Sequence, residues 1–167
     1  MILKTERLTL RPQAEGDAAA LFRILNDADA MRFWNRPPIT RLAVVEEMVG
    51  EQQAAMAAGY CRYWTALEGP DAIGSVDLSL IEDGAAELGF LFRRDRWRLG
   101  FASEAVSAVI AHAMGPLGLR RLASAIQTDN WAASRVLEKN GFVLIEQRQV
   151  TIASGQSRDC AFYVREG

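Results

Sequence analysis

Trp97-Arg98-Leu99-Gly100-Phe101-Ala102-Ser103-Glu104-Ala105 decides how this chain is read, because it joins an arginine-rich strand exit to the first turn of an amphipathic helix. A helix start leaves several backbone N–H groups without intrahelical partners, and the helix dipole adds partial positive charge there. Phosphate groups bind such places. Gly100 lets the backbone approach a ligand closely, and Arg93, Arg94, Arg96 and Arg98 crowd positive charge just upstream. A charge run is more commonly a solvated face. Arginines at a strand end cannot all face one ligand, so Arg98, nearest the helix start, is the one assigned to an anion.

Working outward, the downstream residues Ala102, Ala105, Val106, Val109, Ile110 and Ala113 form one apolar helical stripe, stopped by Gly115-Pro116. Upstream lie three strand candidates, Tyr60 to Leu67, Ala72 to Ile81 and Ala86 to Phe92. They are separated by Glu68-Gly69-Pro70-Asp71 and Glu82-Asp83-Gly84, which is turn chemistry. Turns this short imply an antiparallel meander. Leu122 to Gln127 reads as a strand after the helix. Glu87 to Gln127 is therefore a strand-helix-strand unit with parallel strands and a right-handed crossover. The fold class is mixed α/β, an α+β arrangement.

Further out, Leu3 to Arg11 alternates and closes at Pro12, as one strand. Asp17 is placed to cap a helix carrying Ala18, Leu21, Phe22 and Leu25. Met31 to Ile39, with Phe33, Trp34 and Pro37-Pro38, reads as an ordered loop. Thr40 is placed to cap a second helix ending near Gly59. Asn130 to Asn140 forms a short helix with Gly141 in a left-handed C-terminal cap. Phe142 to Val150 and Arg158 to Arg165 make a final hairpin around Ala153-Ser154-Gly155-Gln156-Ser157.

The 167 residues, half of them hydrophobic, are enough for one domain spanning 1–167 with its own core. A net charge of −2 supplies no global attraction to nucleic acid, and no apolar run suits a membrane span. The two cysteines, Cys61 and Cys160, lie far apart with no metal-like spacing, so neither a disulfide framework nor a metal is expected. The N-terminal residues lack an apolar signal core, and a cytoplasmic location is expected. Assembly is left open between monomer and homodimer.

Trp97-x-x-Gly100-x-Ala102 opening that helix resembles the motif Gln/Arg-x-x-Gly-x-Gly/Ala of the GNAT acetyltransferase superfamily, where loop amides hold the coenzyme A pyrophosphate. Asn130, Ser134, Glu138-Lys139 and Gly141-Phe142 are similar to a second block of that family. Thr5-Glu6-Arg7-Leu8-x-Leu10-Arg11-Pro12 resembles the RimJ/RimL-like branch, which acetylates ribosomal-protein N-termini. Trp97 departs from the superfamily's Gln/Arg in the manner of that branch. No Gly-x-x-x-x-Gly-Lys-Ser/Thr or Gly-x-Gly-x-x-Gly motif competes for the strand-helix junction.

The resemblance implies a central, mostly antiparallel twisted sheet whose parallel strand-helix-strand unit binds acetyl-CoA and is splayed at a bulge. Gly89 is the candidate for that bulge. The same likeness places the coenzyme on Phe90, Leu91, Phe92, Arg98, Leu99, Gly100, Phe101, Ala102, Ser103 and Asn130, with the Phe90 and Leu91 backbones at the thioester. Glu87 is the implied base, competing with a solvated strand-end carboxylate. Ser134 is the implied acid for the thiolate, competing with a helix-surface hydroxyl. Trp34 and Tyr63 are candidates for the acceptor pocket or for plain core packing.

Direct attack by an amine needs a neutral nitrogen. A lysine amine near pKa ~10.4 is harder to neutralise than an α-amine near ~8, by about 3 kcal/mol. The expected reaction is therefore acetyl-CoA-dependent N-acetylation of a primary amine, a protein N-terminal α-amine above all. A small-molecule amine acceptor and a non-catalytic acyl-CoA-binding module are the alternatives. His112 and the cysteines are expected to be structural.

Overall fold

The computed structural model describes residues 1–151 and 155–167. Its eight-stranded sheet runs in the order β1-β2-β3-β4-β5-β6-β8-β7. The strands are β1 (Leu3–Lys4), β2 (Thr9–Pro12), β3 (Arg62–Glu68), β4 (Asp71–Glu82), β5 (Ala85–Phe92), β6 (Arg121–Gln127), β7 (Val143–Thr151) and β8 (Ser157–Glu166). Four helices complete the chain: α1 (Ala18–Leu25), α2 (Leu42–Ala57), α3 (Phe101–Met114) and α4 (Trp131–Lys139). All neighbouring strands are antiparallel except β5 and β6, which are parallel and joined through α3. The mixed α/β class, the meander and the crossover unit all stand as the sequence predicts.

Strand alternation divides the buried side chains between two faces. One face packs Leu10, Val76, Leu78, Leu88, Phe92 and Leu122 against Phe101, Val106 and Val109 of α3. The other buries Leu91 with Leu21, Ile24, Val45 and Val49 of α1 and α2. Glu87, Gly89 and Leu91 therefore share the face covered by α1 and α2, and Leu88, Phe90 and Phe92 the face under α3.

Three local expectations are corrected. The single strand over Leu3 to Arg11 is broken, because Thr5 closes a turn: its N–H donates to the Leu8 carbonyl at 3.0 Å and its Oγ1 accepts the Leu8 N–H at 2.9 Å. Asp17 stands at the N-cap position of α1, but its side chain makes no cap bond. It lies in a preceding 3₁₀ turn, buried, and accepts hydrogen bonds from Arg11, the Ala14 N–H and the Thr65 hydroxyl. Thr40 does not cap α2, whose N-cap position is Arg41 in extended backbone without a side-chain cap bond. At Asp17 the distant Thr65 hydroxyl outweighs the local capping preference.

Gly89 is not a bulge against β4. The register runs unbroken from Gly74↔Phe92 to Ser79↔Glu87, and the irregularity falls between Ser79 and Glu82, where Leu80 has a φ of 49°. The glycine is there for space: a Cβ on Gly89 would lie 2.6 Å from Asp77 Oδ1. The final hairpin is present, although Ala153 and Ser154 of its loop lie outside the described residues.

Candidate active site

The parallel pair sets up the site. Backbone pairing between β5 and β6 covers Ala85↔Arg121 to Glu87↔Ala123 and then ends, so the two strands part toward their C-terminal ends. A helix follows each strand, α3 after β5 and α4 after β6. The expected splay is thus present, with unpaired strand edge opening beside two helix N-termini. Ligands of α/β sheets settle beyond the carboxyl ends of parallel strands for this reason.

Which groups face the opening follows from antiparallel alternation. The Arg93 N–H donates to the Ile73 carbonyl at 2.8 Å, so odd-numbered β5 residues turn their backbone toward β4 and even-numbered ones toward β6. Two side-chain bonds agree: Ser124 Oγ donates to the Leu88 carbonyl at 3.0 Å, and Trp97 Nε1 to the Phe92 carbonyl at 2.9 Å. Phe90 therefore presents its N–H and C=O to the opening, with the Phe92 N–H beside it. Leu91, expected to share the thioester, instead turns its backbone toward Ser75 and its side chain into the α1/α2 core.

Gly100 is the N-cap of α3, with a φ of +86°, and Arg98 before it has a φ of +63°. The left-handed residues swing the chain so that the Phe101, Ala102 and Ser103 N–H groups form the open first turn of the helix. Leu99 and Arg98 are exposed around it. The other arginines are occupied: Arg93 with Asp71 and Asp95, Arg94 with Asp27 and Asp29, Arg96 with Glu68 and Asp95. Arg98 has no such partner among the described residues, as an anion-binding role requires.

One cation beside this turn was missed. Arg7 Nη1 donates to the Leu99 carbonyl at 3.0 Å, and its guanidinium stacks 4.3 Å from the centre of the Phe101 ring. Glu104 holds it there, accepting the Arg7 N–H at 2.9 Å, Arg7 Nε at 2.7 Å and Thr5 Oγ1 at 2.6 Å. Burial pushes the Glu104 carboxyl up, and these three donors together outweigh that and hold it below the usual range. The Thr5-Glu6-Arg7 run was the only sequence signal of this partnership. Nothing local in it revealed the contact with α3.

At α4, Asn130 caps the helix by accepting the Ala133 N–H at 3.2 Å. Asn130→Ala is expected to lower the unfolding free energy of the unliganded protein by about 1 kcal/mol, read from the urea midpoint. Ser134 is not a surface hydroxyl: half-buried, its Oγ shares a 3.0 Å hydrogen bond with the buried Tyr163 hydroxyl on β8. Gly141, at φ +79°, ends the helix, with the Phe142 N–H bonding back to the Leu137 carbonyl. This is the cap that turns the chain into β7.

On the opposite face, Glu87 is exposed and Tyr63 half-buried. Burial, then the charges of Asp77 and Cys61, push the Tyr63 phenol up to about 12. Trp34 is half-buried against the α1/α2 core, and the loop it sits in reaches β6, where Gln127 Nε2 donates to the Phe33 carbonyl at 2.8 Å. Asp77 was missed. It stands alone as a charge among Ser75, Val76, Leu78 and Ser79, a pattern that reads as an ordinary solvent face. It lies opposite Gly89 and Tyr63, half-buried.

The remaining candidates are structural in their surroundings. His112 is buried, edge-on to Trp64 at 5.8 Å, and burial lowers its affinity for a proton. Burial raises both the Cys61 and Cys160 thiols, which opposes a thiolate nucleophile. No group of metal-ligating residues occurs among the described residues, and no described helix is long and apolar enough to cross a membrane.

Residues 7–143 match the family model of the acetyltransferase (GNAT) domain. The uncharacterized N-acetyltransferase YoaA of Bacillus subtilis (strain 168) is 30% identical over 146 residues, 84% of this chain and 82% of that protein. RimL, the ribosomal L7/L12 alpha-N-protein acetyltransferase solved with coenzyme A, superposes with a TM-score of 0.90 at 22% identity, covering 99% and 98% of the two chains. The spermidine N-acetyltransferase of Vibrio cholerae, solved with CoA and spermine, gives 0.85 at 20% identity, covering 97% and 96%. The two structures carry the likeness of fold, and the sequence match carries the family: this chain belongs to the GNAT acetyltransferases, enzymes of acetyl transfer from acetyl-CoA.

Proposed function

We propose that this protein, read as one domain over 1–167, transfers acetyl from acetyl-CoA to a protein N-terminal α-amine by direct attack. The observation that carries the reading is the parting of β5 and β6 beside the first turns of α3 and α4, with the coupled Ser134 and Tyr163 hydroxyls at the second. An elongated, phosphate-bearing thioester fits this opening. Its pyrophosphate lies against the N–H groups of Phe101, Ala102 and Ser103, with Arg98, Leu99, Gly100 and Arg7 around them. Its thioester oxygen accepts from the backbone on the open edge of β5, with Phe90 central.

When bound, acetyl-CoA supplies the activated acyl group. The chain's own residues orient the carbonyl, exclude water with Trp34 and Tyr63, and move protons. Ser134 passes a proton to the departing sulfur and draws it back through Tyr163. Glu87, exposed at the strand end, takes part in relieving the amine of its proton, directly or through water. The α-amine reading is supported by the RimJ/RimL-like opening of the chain and by the low proton affinity of that amine. The protein is read as cytoplasmic, with no metal, nucleic acid or membrane partner.

The test is a panel of N-terminal peptides, spermidine-like polyamines and small amines, read by mass for an added 42 Da, roughly one acetyl group in place of a hydrogen. Acetylated peptide α-amines support the reading, whereas acetylated polyamines alone move the assignment to small amines. Saturable coenzyme binding with no amine-dependent thiol release makes the protein a binding module instead. Ser134→Ala is expected to lower kcat by about 10- to 100-fold with coenzyme A affinity unchanged, measured by thiol release and calorimetry.

A further inference from the structure

Asp77 sits at the edge of the α1/α2 face, where burial changes along β5. Leu91 is buried beneath the helices, Gly89 half-buried and Glu87 exposed. In the register, Asp77 is opposite Gly89, which makes Glu87 its diagonal neighbour on the same face, a separation of about 7–8 Å in an antiparallel pair. The carboxylate lies over Gly89 itself, closely enough that a Cβ there would meet Oδ1 at 2.6 Å and Oδ2 at 3.0 Å. Gly89 immediately precedes Phe90, whose backbone faces the opening between β5 and β6. Asp77 thus reaches from β4 over β5 toward the point where the proposed thioester and the acceptor meet.

Its surroundings suit proton transfer. Burial, then the negative charge of Glu87, push the carboxyl from its ordinary 3.8 up to about 7, with no hydrogen-bond donor on it among the described residues. On β3, Tyr63 lies opposite it and stays protonated, and Cys61, just before that strand, feels its charge. From α2 the group beside Tyr63 is the neutral Gln52, and no charge of α1 or α2 acts on Asp77. A carboxylate at 3.8 would take a proton from an α-ammonium near ~8 at a ten-thousandfold disadvantage, whereas one near 7 faces only about tenfold.

We propose that Asp77, with Glu87 diagonal to it, receives the proton that the acceptor ammonium sheds on its way to attack. The inference rests on the acetyl-transfer reading above and assigns the base of that reaction to a residue on β4. The ammonium yields one proton to the Asp77 carboxylate, and the freed lone pair forms the N–C bond as the C–S bond breaks. The second amine proton balances the one delivered to the thiolate by way of Ser134. Asp77 then returns its proton to water through the open side near Glu87.

The experiment measures kcat/KM against pH for wild type, Asp77→Asn and Glu87→Gln, using two acceptors of different amine pKa and coenzyme A binding as the check on folding. Wild type is expected to show an acidic limb near pH 7 that stays put when the acceptor changes. Glu87→Gln, which removes the like charge, shifts that limb to lower pH. Asp77→Asn abolishes it and lowers kcat by about 100-fold, with the coenzyme A dissociation constant within about twofold of wild type. An Asp77→Asn enzyme that keeps the limb, or loses coenzyme binding in step with kcat, overturns the assignment, as does a limb unmoved in Glu87→Gln. A wild type that acetylates none of the amines overturns the acetyl-transfer reading itself, and the two failures are thereby distinct.

Discussion

Replacing Gly100 with tryptophan is expected to weaken coenzyme A binding by about 100-fold or more, roughly 2.7 kcal/mol, by isothermal titration calorimetry. The backbone there has a φ of +86°, which L side chains rarely adopt, and a Cβ would already stand 3.3 Å from Arg7 Nη2. An indole at that point covers the free N–H groups of the first turn and displaces the guanidinium anchored to Leu99 and Glu104. Gly100→Ala separates the two effects, because it carries the left-handed strain of about 1–2 kcal/mol without covering the turn. It is expected to lower the unfolding midpoint while binding coenzyme A within a few-fold of wild type. Unchanged affinity in Gly100→Trp would move the pyrophosphate away from α3 altogether.

The second large effect is on stability. Asp17→Ala is expected to lower the unfolding free energy by about 3 kcal/mol or more, read from urea denaturation. The buried carboxylate accepts Arg11 at 2.7 and 2.5 Å, the Ala14 N–H at 2.8 Å and the Thr65 hydroxyl at 2.7 Å, so it ties β2, the turn before α1 and β3 together. Its loss strands the fully buried Thr65 hydroxyl and removes the partner of Arg11. Burial pushes the Asp17 carboxyl up, but Arg11, Ala14 and Thr65 together hold it below the ordinary aspartate value. A lowered carboxyl stabilises the native state above its unfolded pKa of about 3.9, and that stability disappears as pH falls through the lower native value. Wild type should therefore show an acid-destabilisation component in that range that Asp17→Ala lacks.

The misreading at Asp17 and the omission of Asp77 have one cause. Both are acidic residues whose chain neighbours offer an ordinary explanation, a helix cap for one and a strand's wet face for the other. Their neighbours across the sheet, Thr65 beside Asp17 and Glu87 diagonal to Asp77, are brought close only when strands pair. Ser134 was identified by its likeness to a family serine, yet the bond to Tyr163 joins α4 to β8 across 29 positions and left no local trace. Arg7 is the same case at greater distance, since its carboxylate partner is 97 positions away.

Local physics was enough wherever a feature depends on adjacent residues. The order of elements follows from side-chain periodicity, the parallel β5-α3-β6 unit from the length of its connection, and the open first turn of α3 from Gly100. None of these requires knowing what lies across the sheet. The tertiary structure alone decided which backbone faces the opening, because that depends on which carbonyl accepts the Arg93 N–H, and so turned Phe90 rather than Leu91 toward it. It alone set Asp77 over Gly89, because register brings together residues that the sequence keeps apart. Periodicity is a property of the chain, whereas the direction of a strand's hydrogen bonds and the burial of a charge belong to the sheet it joins.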